Sequence, residues 1–243
     1  MEGRKLVVAN WKSNGRKLLI DNLNRAVCTD CDSINDLVLC PPAALLAYAV
    51  SAFADYAARQ PFIRIGAQDC AAYETNCTGD IPCSVLAEIG VSYVIIGHSE
   101  RRRIYCESNE LIAAKVRAAL QQRQIPIVCV GESLQEREAG RAFEVIKDQL
   151  APLAFAFQPS QTTPAALIAY EPVWAIGAQQ TPQYEEISEI HSFIHELTWA
   201  KVLYGGGVTI YNCNDILRAN NISGVLVGRS SLAPDFYKML TGS

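Results

Sequence analysis

A glutamate at the end of an apolar run, followed at once by proline, is the most suggestive group in this chain. Ala165-Ala166-Leu167-Ile168-Ala169 leads through Tyr170 to Glu171 and Pro172. Proline disfavours helical backbone in the residue before it, so Glu171 is expected to be held extended at the last rung of a strand. Val173, Trp174, Ala175 and Ile176 then form an apolar segment closed by Gly177, and the next helix starts no earlier than about Thr181-Pro182. A rigid carboxylate followed by a hydrophobic, glycine-ended loop suits a general base under a closing lid. Alone, a Glu-Pro pair reads more simply as a solvated strand end, and its companions decide between the two.

His98 is the second group, within Gly97-His98-Ser99-Glu100-Arg101-Arg102-Arg103. It is placed between a strand end and a helix start, where the partial positive charge of the helix favours the neutral ring. A neutral imidazole donates to a carbonyl oxygen as an electrophile. Glu100 has Lys12 or a nearby arginine as a partner. Asn10-Trp11-Lys12 offers an amide and an ammonium to an anion. Two glycine-rich turns, Tyr204-Gly205-Gly206-Gly207 and Val227-Gly228-Arg229-Ser230-Ser231, offer backbone N–H groups to a phosphate, the second running into the last helix.

No metal site is expected. Cys28-Thr29-Asp30-Cys31 is a C-x-x-C, but no second pair stands at zinc spacing. His191 and His195 are four apart on one helix, outside an H-E-x-x-H pattern and without an evident third ligand, and read as a surface pair.

These groups lie at the ends of eight short β-rich runs: Lys5–Ala9, Leu37–Cys40, Phe62–Ala67, Ser92–Gly97, Ile125–Val130, Ala165–Tyr170, Lys201–Tyr204 and Gly224–Val227. Most are near-continuously apolar, as parallel strands buried on both faces are. Between them lie sets with helical spacing: Leu18, Leu19, Leu23 and Val27; Leu111, Ala114, Val116, Ala119 and Leu120; Ile187, Ile190, Phe193, Ile194 and Leu197. The repeat of roughly 30 residues is the size of one strand-helix unit. Without a linker or composition shift, the expectation is a single α/β domain over residues 1–243, a (β/α)8 barrel with its chemistry at the C-terminal strand ends. A doubly wound open sheet is the rival, but no G-x-G-x-x-G follows the first strand. The polar loop Ala72 to Asp80 after the third strand is long enough to be functional or interfacial.

A net charge of −4 argues against nucleic-acid binding as the main role, because phosphate neutralisation needs a basic face. No stretch suits a signal peptide or a membrane span, and nine scattered cysteines suit a reducing, cytoplasmic setting better than a disulfide framework.

Over essentially its whole length the chain resembles the triosephosphate isomerase family. The matching segments are Asn10-Trp11-Lys12, Gly97-His98-Ser99-Glu100-Arg101-Arg102, Cys129-Val130-Gly131-Glu132, Tyr170 to Gly177, Tyr204-Gly205-Gly206 and Leu226-Val227-Gly228. The resemblance implies a glycolytic and gluconeogenic isomerase that interconverts dihydroxyacetone phosphate and glyceraldehyde 3-phosphate through an enediol(ate), without a cofactor. It implies Glu171 as the base, neutral His98 as the electrophile, Lys12 as the balancing charge and Asn10 as an orienting amide. Glu100 and Cys129 support them. Backbone N–H groups near Gly177, Gly207, Gly228 and Arg229 would hold the phosphate, and Ile176 and Leu226 would clamp over Glu171. A homodimer is implied, with the Tyr73–Asp80 loop at the interface.

The chain departs from the family pattern in a shorter hinge, Gly177-Ala178-Gln179-Gln180-Thr181-Pro182, in Gly207 for a serine, in Arg229 for a glycine, and in Asn76-Cys77 within the interface loop. Tyr184 to Lys201 also looks trimmed. A related barrel isomerase acting on another small sugar phosphate, or a weakened phosphate-binding paralogue, is therefore the alternative.

Overall fold

The computed structural model describes residues 4–27, 35–59, 62–74, 77–157, 166–176, 182–219 and 221–241. The Cys28/Cys31 pair, Asn76, and Gly177 with the hinge as far as Thr181 lie outside the described residues. Eight strands form a closed parallel barrel: β1 (Lys5–Asn10), β2 (Asn35–Cys40), β3 (Ile63–Ala67), β4 (Tyr93–Ile96), β5 (Ile125–Val130), β6 (Leu167–Tyr170), β7 (Val202–Tyr204) and β8 (Gly224–Val227). Each pairs with its sequence neighbour, and β1 with β8 closes the ring through Leu6↔Gly224 to Ala9↔Val227. The helices are α1 (Lys17–Val27), α2 (Leu46–Arg59), α3 (Cys83–Glu88), α4 (Ser99–Ile104), α5 (Asn109–Gln121), α6 (Leu134–Glu138), α7 (Ala142–Leu150), α8 (Tyr184–Leu197), α9 (Cys213–Leu217) and α10 (Pro234–Thr241). This is the (β/α)8 barrel the sequence implies.

Alternation along the strands divides the core in two. Val8, Val38, Ile95, Ile127, Ala169 and Leu203 fill the barrel interior. Val7, Ala9, Leu37, Leu39, Val94 and Ile168 point outward and pack with the helices. Neither face meets water, which is why the strands read as unbroken apolar runs. Helical ends carry their own stop and start signals. Ser108 accepts from Leu111 N–H at the start of α5, and Ser133 with Glu136 forms a reciprocal cap on α6.

The helical phase differs from the sequence reading in two places. On α1 Ile20 and Leu23 are buried while Leu18 is 65% exposed. At about 100° per residue Leu18 lies some 200° from Ile20, on the far side of the helix. On α5 the buried residues include Ile112, Ala113, Lys115, Val116 and Ala119, so Leu111 and Ala114 flank the inner face. Lys115 is tolerated there because Asp69 and Glu107 carboxylates lie 2.7 and 2.6 Å from its Nζ.

His191 corrects another expectation. It is no surface residue: its ring is fully buried on the inner face of α8, against the rings of Tyr170 and Tyr204. Nδ1 lies 3.2 Å from Asn221 O, and Nε2 has no partner. Only His195 is exposed. Burial pulls the His191 imidazole down from 6.5 to about 4, against the contrary effect of the Asn221 carbonyl. The native ring is therefore neutral in a window, between 6.5 and about 4, where the unfolded ring is charged. The unfolded chain binds the extra proton there, so stability is fully present above this window and falls as the pH is lowered through it. Urea unfolding at pH 7 and pH 4.5 should show wild type losing roughly 2–3 kcal/mol more than His191→Gln across that interval. Parallel losses in the two proteins would show that His191 is not the group responsible.

Candidate active site

The barrel closes its C-terminal strand ends around Glu171. The residue follows β6 directly. Its N–H donates to Val130 O at 2.7 Å, and Gly205 N–H donates to Tyr170 O at 2.7 Å, so the ends of β5 and β7 grip the chain on both sides of the carboxylate. Two glycines permit this closeness. A Cβ on Gly131 would stand 1.8 Å from Glu171 O, and one on Gly205 would stand 2.8 Å from Glu171 Cγ.

Beyond Glu171, Val173–Ala175 form one 3-10 turn. Glu132, fully buried, anchors it: the Trp174 indole N–H donates to Glu132 Oε1 at 2.9 Å, the Tyr170 hydroxyl at 3.2 Å and Arg137 Nη1 at 3.3 Å. Arg137 also meets Glu186 at 2.6 Å, tying the turn to α8.

The carboxylate of Glu171 is almost completely buried and engaged at both oxygens. Oε1 lies 3.2 Å from His98 Nε2, and Oε2 accepts from the Ser99 backbone N–H at 3.2 Å. The Cys129 thiol lies beneath it. Burial, and then the Glu171 charge, push that thiol far above its ordinary range, so it stays protonated beside the carboxylate.

His98 is the N-cap of α4, and its Nδ1 accepts from Glu100 N–H at 3.2 Å. An imidazolium there would point one N–H at another. The ring is therefore the neutral tautomer, with its proton on Nε2.

Lys12 comes to this centre in a left-handed backbone conformation, φ +53°. Such a conformation costs a non-glycine residue on the order of 1 kcal/mol and persists only where the surroundings enforce it. Here Asn10 Oδ1 accepts from Lys12 N–H at 3.1 Å, and Gln68 Nε2 donates to Lys12 O at 2.7 Å. The Lys12 ammonium meets Glu100 Oε1 at 2.6 Å. Burial raises the Glu100 carboxyl, but the Lys12 hydrogen bond and the charges of Lys12 and Arg103 outweigh it and hold the group below its ordinary value. A Cβ on Gly228 would stand 3.7 Å from Lys12 Cε, so the lysine stem runs along the turn after β8.

Asn10, Lys12, Gln68, His98, Glu100 and Arg229 line one trough of about 1000 Å³. Glu171 lies just off it, joined through His98. Gly207 holds φ +51° in the turn after β7, which a serine would occupy less readily. Arg229 is exposed and opens a short 3-10 turn, Arg229–Leu232, rather than the last helix. Ala233 is extended before Pro234, which delays α10. Leu226 belongs to the barrel interior and Ile176 is half-buried beyond the 3-10 turn.

Three contributors were not assigned a role from the sequence, although Ser99 and Arg102 lie in a segment that carries the family resemblance. Ser99 acts through its backbone N–H. Gln68 clamps Lys12 from the next-but-one strand. Arg102 braces β4 to β5, donating to Gly97 O at 2.9 Å and Cys129 O at 3.1 Å. Among the described residues no cluster of three or more potential metal ligands occurs, and no helix is long and apolar enough to cross a membrane.

Known proteins resemble this chain over nearly its whole length. The family model for triosephosphate isomerase matches residues 5–242. Triosephosphate isomerase from Bradyrhizobium sp. (strain ORS 278) is 38% identical, with 98% of each chain aligned. The triosephosphate isomerase of Halorhodospira halophila is 39% identical over 96% of this chain and 95% of its own, and that of Ruegeria pomeroyi 38% over 98% and 96%. With a family match over nearly its full length and relatives above a third identical, this chain belongs to the triosephosphate isomerase family.

Proposed function

We propose that this site interconverts dihydroxyacetone phosphate and glyceraldehyde 3-phosphate, with Glu171 as the base. The observation that carries the assignment is the contact of His98 Nε2 with Glu171 Oε1 at 3.2 Å, with His98 Nδ1 already taken by Glu100 N–H. A base and a neutral donor thereby stand side by side at the trough. Glu171 takes a proton from the carbon beside the carbonyl, and the electron pair moves onto the carbonyl oxygen. The His98 Nε2–H donates to that oxygen, and the Lys12 ammonium offsets its developing charge. Returning the proton to the neighbouring carbon completes the isomerisation. Because both Glu171 oxygens are engaged by the protein here, the carboxylate must swing off Ser99 to reach substrate. Asn10 orients the substrate oxygens. The N–H groups at Gly177, Gly207, Gly228 and Arg229 take the phosphate, and Ile176 and Leu226 cover Glu171. Turnover of glyceraldehyde 3-phosphate in an assay coupled to reduction of the ketone product tests the reading, and no turnover above a Glu171→Gln control would refute it.

The whole of residues 1–243 acts as one barrel domain in this reading, with no cofactor, and as a homodimer. Tyr73, Ile104 and Tyr105 are large exposed hydrophobics beside the trough and the Tyr73–Asp80 loop, which favours burial by a second copy. Sedimentation at assay concentration should give a dimer, and a fully active monomer would refute it. A reducing compartment such as the cytosol suits seven unpaired cysteines among the described residues.

The Arg229 side chain is not part of the anion site in this reading. It is exposed, and the 3-10 turn supplies its backbone N–H whatever the side chain is. Arg229→Gly should change substrate affinity by less than about tenfold, or about 1.4 kcal/mol. A loss of a hundredfold or more would show that the guanidinium itself binds the phosphate.

A further inference from the structure

We propose a second binding site at the end of the barrel opposite Glu171, one that takes a small aromatic carboxylate. A cavity of about 380 Å³ opens there, at the N-terminal ends of the strands. Period-2 alternation builds it in two layers. Leu6, Tyr93, Ile125 and Leu203 belong to the apolar barrel interior or pack against it, and they form the floor. Two residues before Leu6, Ile125 and Leu203, the same inward row gives Arg4, Arg123 and Lys201, which form the rim. None of these residues belongs to the catalytic set.

The rim is cationic on a chain of net charge −4. Among the described residues Asp36 is the one carboxylate that lines the cavity, and it meets Arg4 at 3.5 Å. Arg123, Lys201 and the Tyr93 hydroxyl have no hydrogen-bond or ion-pair partner among the described residues. Burial and then the Asp36 charge raise the Tyr93 phenol, against the contrary effect of Arg64, so it stays a neutral donor. The backbone of Arg123 adds an independent mark. Helix α5 closes with Arg123 N–H donating to Leu120 O at 2.9 Å and Gln124 N–H to Ala119 O at 3.0 Å. That turn holds Arg123 at φ +59°, a position that glycine fills most easily. An arginine there costs backbone energy and places a guanidinium at the rim. An apolar dish with a few convergent polar groups is the form of a small-molecule site. A ring fills the floor, and the carboxylate takes charge-assisted hydrogen bonds from Arg123 and Lys201.

The test measures binding of naphthylacetate to the full-length chain by titration calorimetry. One molecule per chain is expected, with a Kd of about 1 mM or tighter. The neutral naphthylacetamide should bind at least about tenfold more weakly, because it lacks the charge that the rim pairs. Arg123→Gly and Lys201→Gln should each weaken binding of the acid by at least about threefold. Glycine suits the Arg123 backbone and Lys201 is exposed, so both variants should fold as wild type does. Inorganic phosphate, compared at matched ionic strength, should not displace the acid, since it has no apolar body to fill the floor. Absence of binding at about 10 mM acid, equal affinity for the amide, wild-type affinity in either variant, or displacement by phosphate overturns the proposal.

Discussion

Glu171→Gln should lower kcat by about 10²–10⁴-fold, the usual contribution of a positioned general base. Glutamine keeps the size of the side chain and removes its basicity. It also disturbs the resting geometry, because the glutamate oxygens accept from two donors, Ser99 N–H and His98 Nε2–H. An amide has one oxygen and one NH2, so one of those donors would face another donor. The variant side chain is therefore pushed off its resting contacts as well as deprived of its lone pair. Anion affinity should be little changed, because Gln keeps the volume that packs against Gly205 and the proposed phosphate donors are backbone N–H groups that the substitution leaves in place. Inorganic phosphate binding within about threefold of wild type, with kcat collapsed, is the expected pair of results. Near-normal turnover would remove Glu171 from the base role.

Lys12→Met should lower kcat/KM by about 10²–10³-fold, the scale of losing one preorganised charge at the reacting oxygens. Methionine keeps the length of the stem along Gly228 and deletes the ammonium. Two consequences follow from one change. The developing negative charge on substrate loses its balance, and Glu100 loses its 2.6 Å partner while remaining 3.6 Å from His98 Nδ1. The sign of the pH effect follows from the lowered Glu100 carboxyl. Its ion pair with Lys12 is at full strength above the ordinary value of 4.5 and is lost as the pH falls through the lower native value. Stability measured below pH 4.5 should accordingly fall less steeply in Lys12→Met than in wild type. Steady-state kinetics on the variant that retained wild-type kcat/KM would show that Lys12 serves only to hold Glu100.

Much of the barrel was legible from residue order alone, because a parallel strand buried on both faces leaves a run of apolar residues that needs no partner to be seen. Ile125–Val130 and Gly224–Val227 match the observed strands end for end. The polar residues that interrupt such runs at their C-terminal ends had to sit at one rim of the closed barrel, so Asn10, Lys12 and His98 were brought to one place by topology. Glu171-Pro172 was readable for a local reason, the backbone restriction that proline places on its predecessor.

What the tertiary structure alone decided depends on contacts between distant segments. Helical spacing marks an apolar stripe but not which edge of it faces inward, so Leu18 read as core and lies in solvent, while His191 read as surface and lies between Tyr170 and Tyr204. A histidine spacing is the same whether the ring is solvated or buried. Gln68 on Lys12, Arg102 on Cys129 and Ser99 on Glu171 are hydrogen bonds across 56, 27 and 72 residues of chain, two of them to a backbone carbonyl and one from a backbone N–H. Every residue but proline carries such an N–H, and every residue such a carbonyl, so side-chain identity cannot announce the bond. The sequence determined which chemical groups the rim would hold. Packing decided their protonation and aim, because only the folded chain sets what each group is buried against.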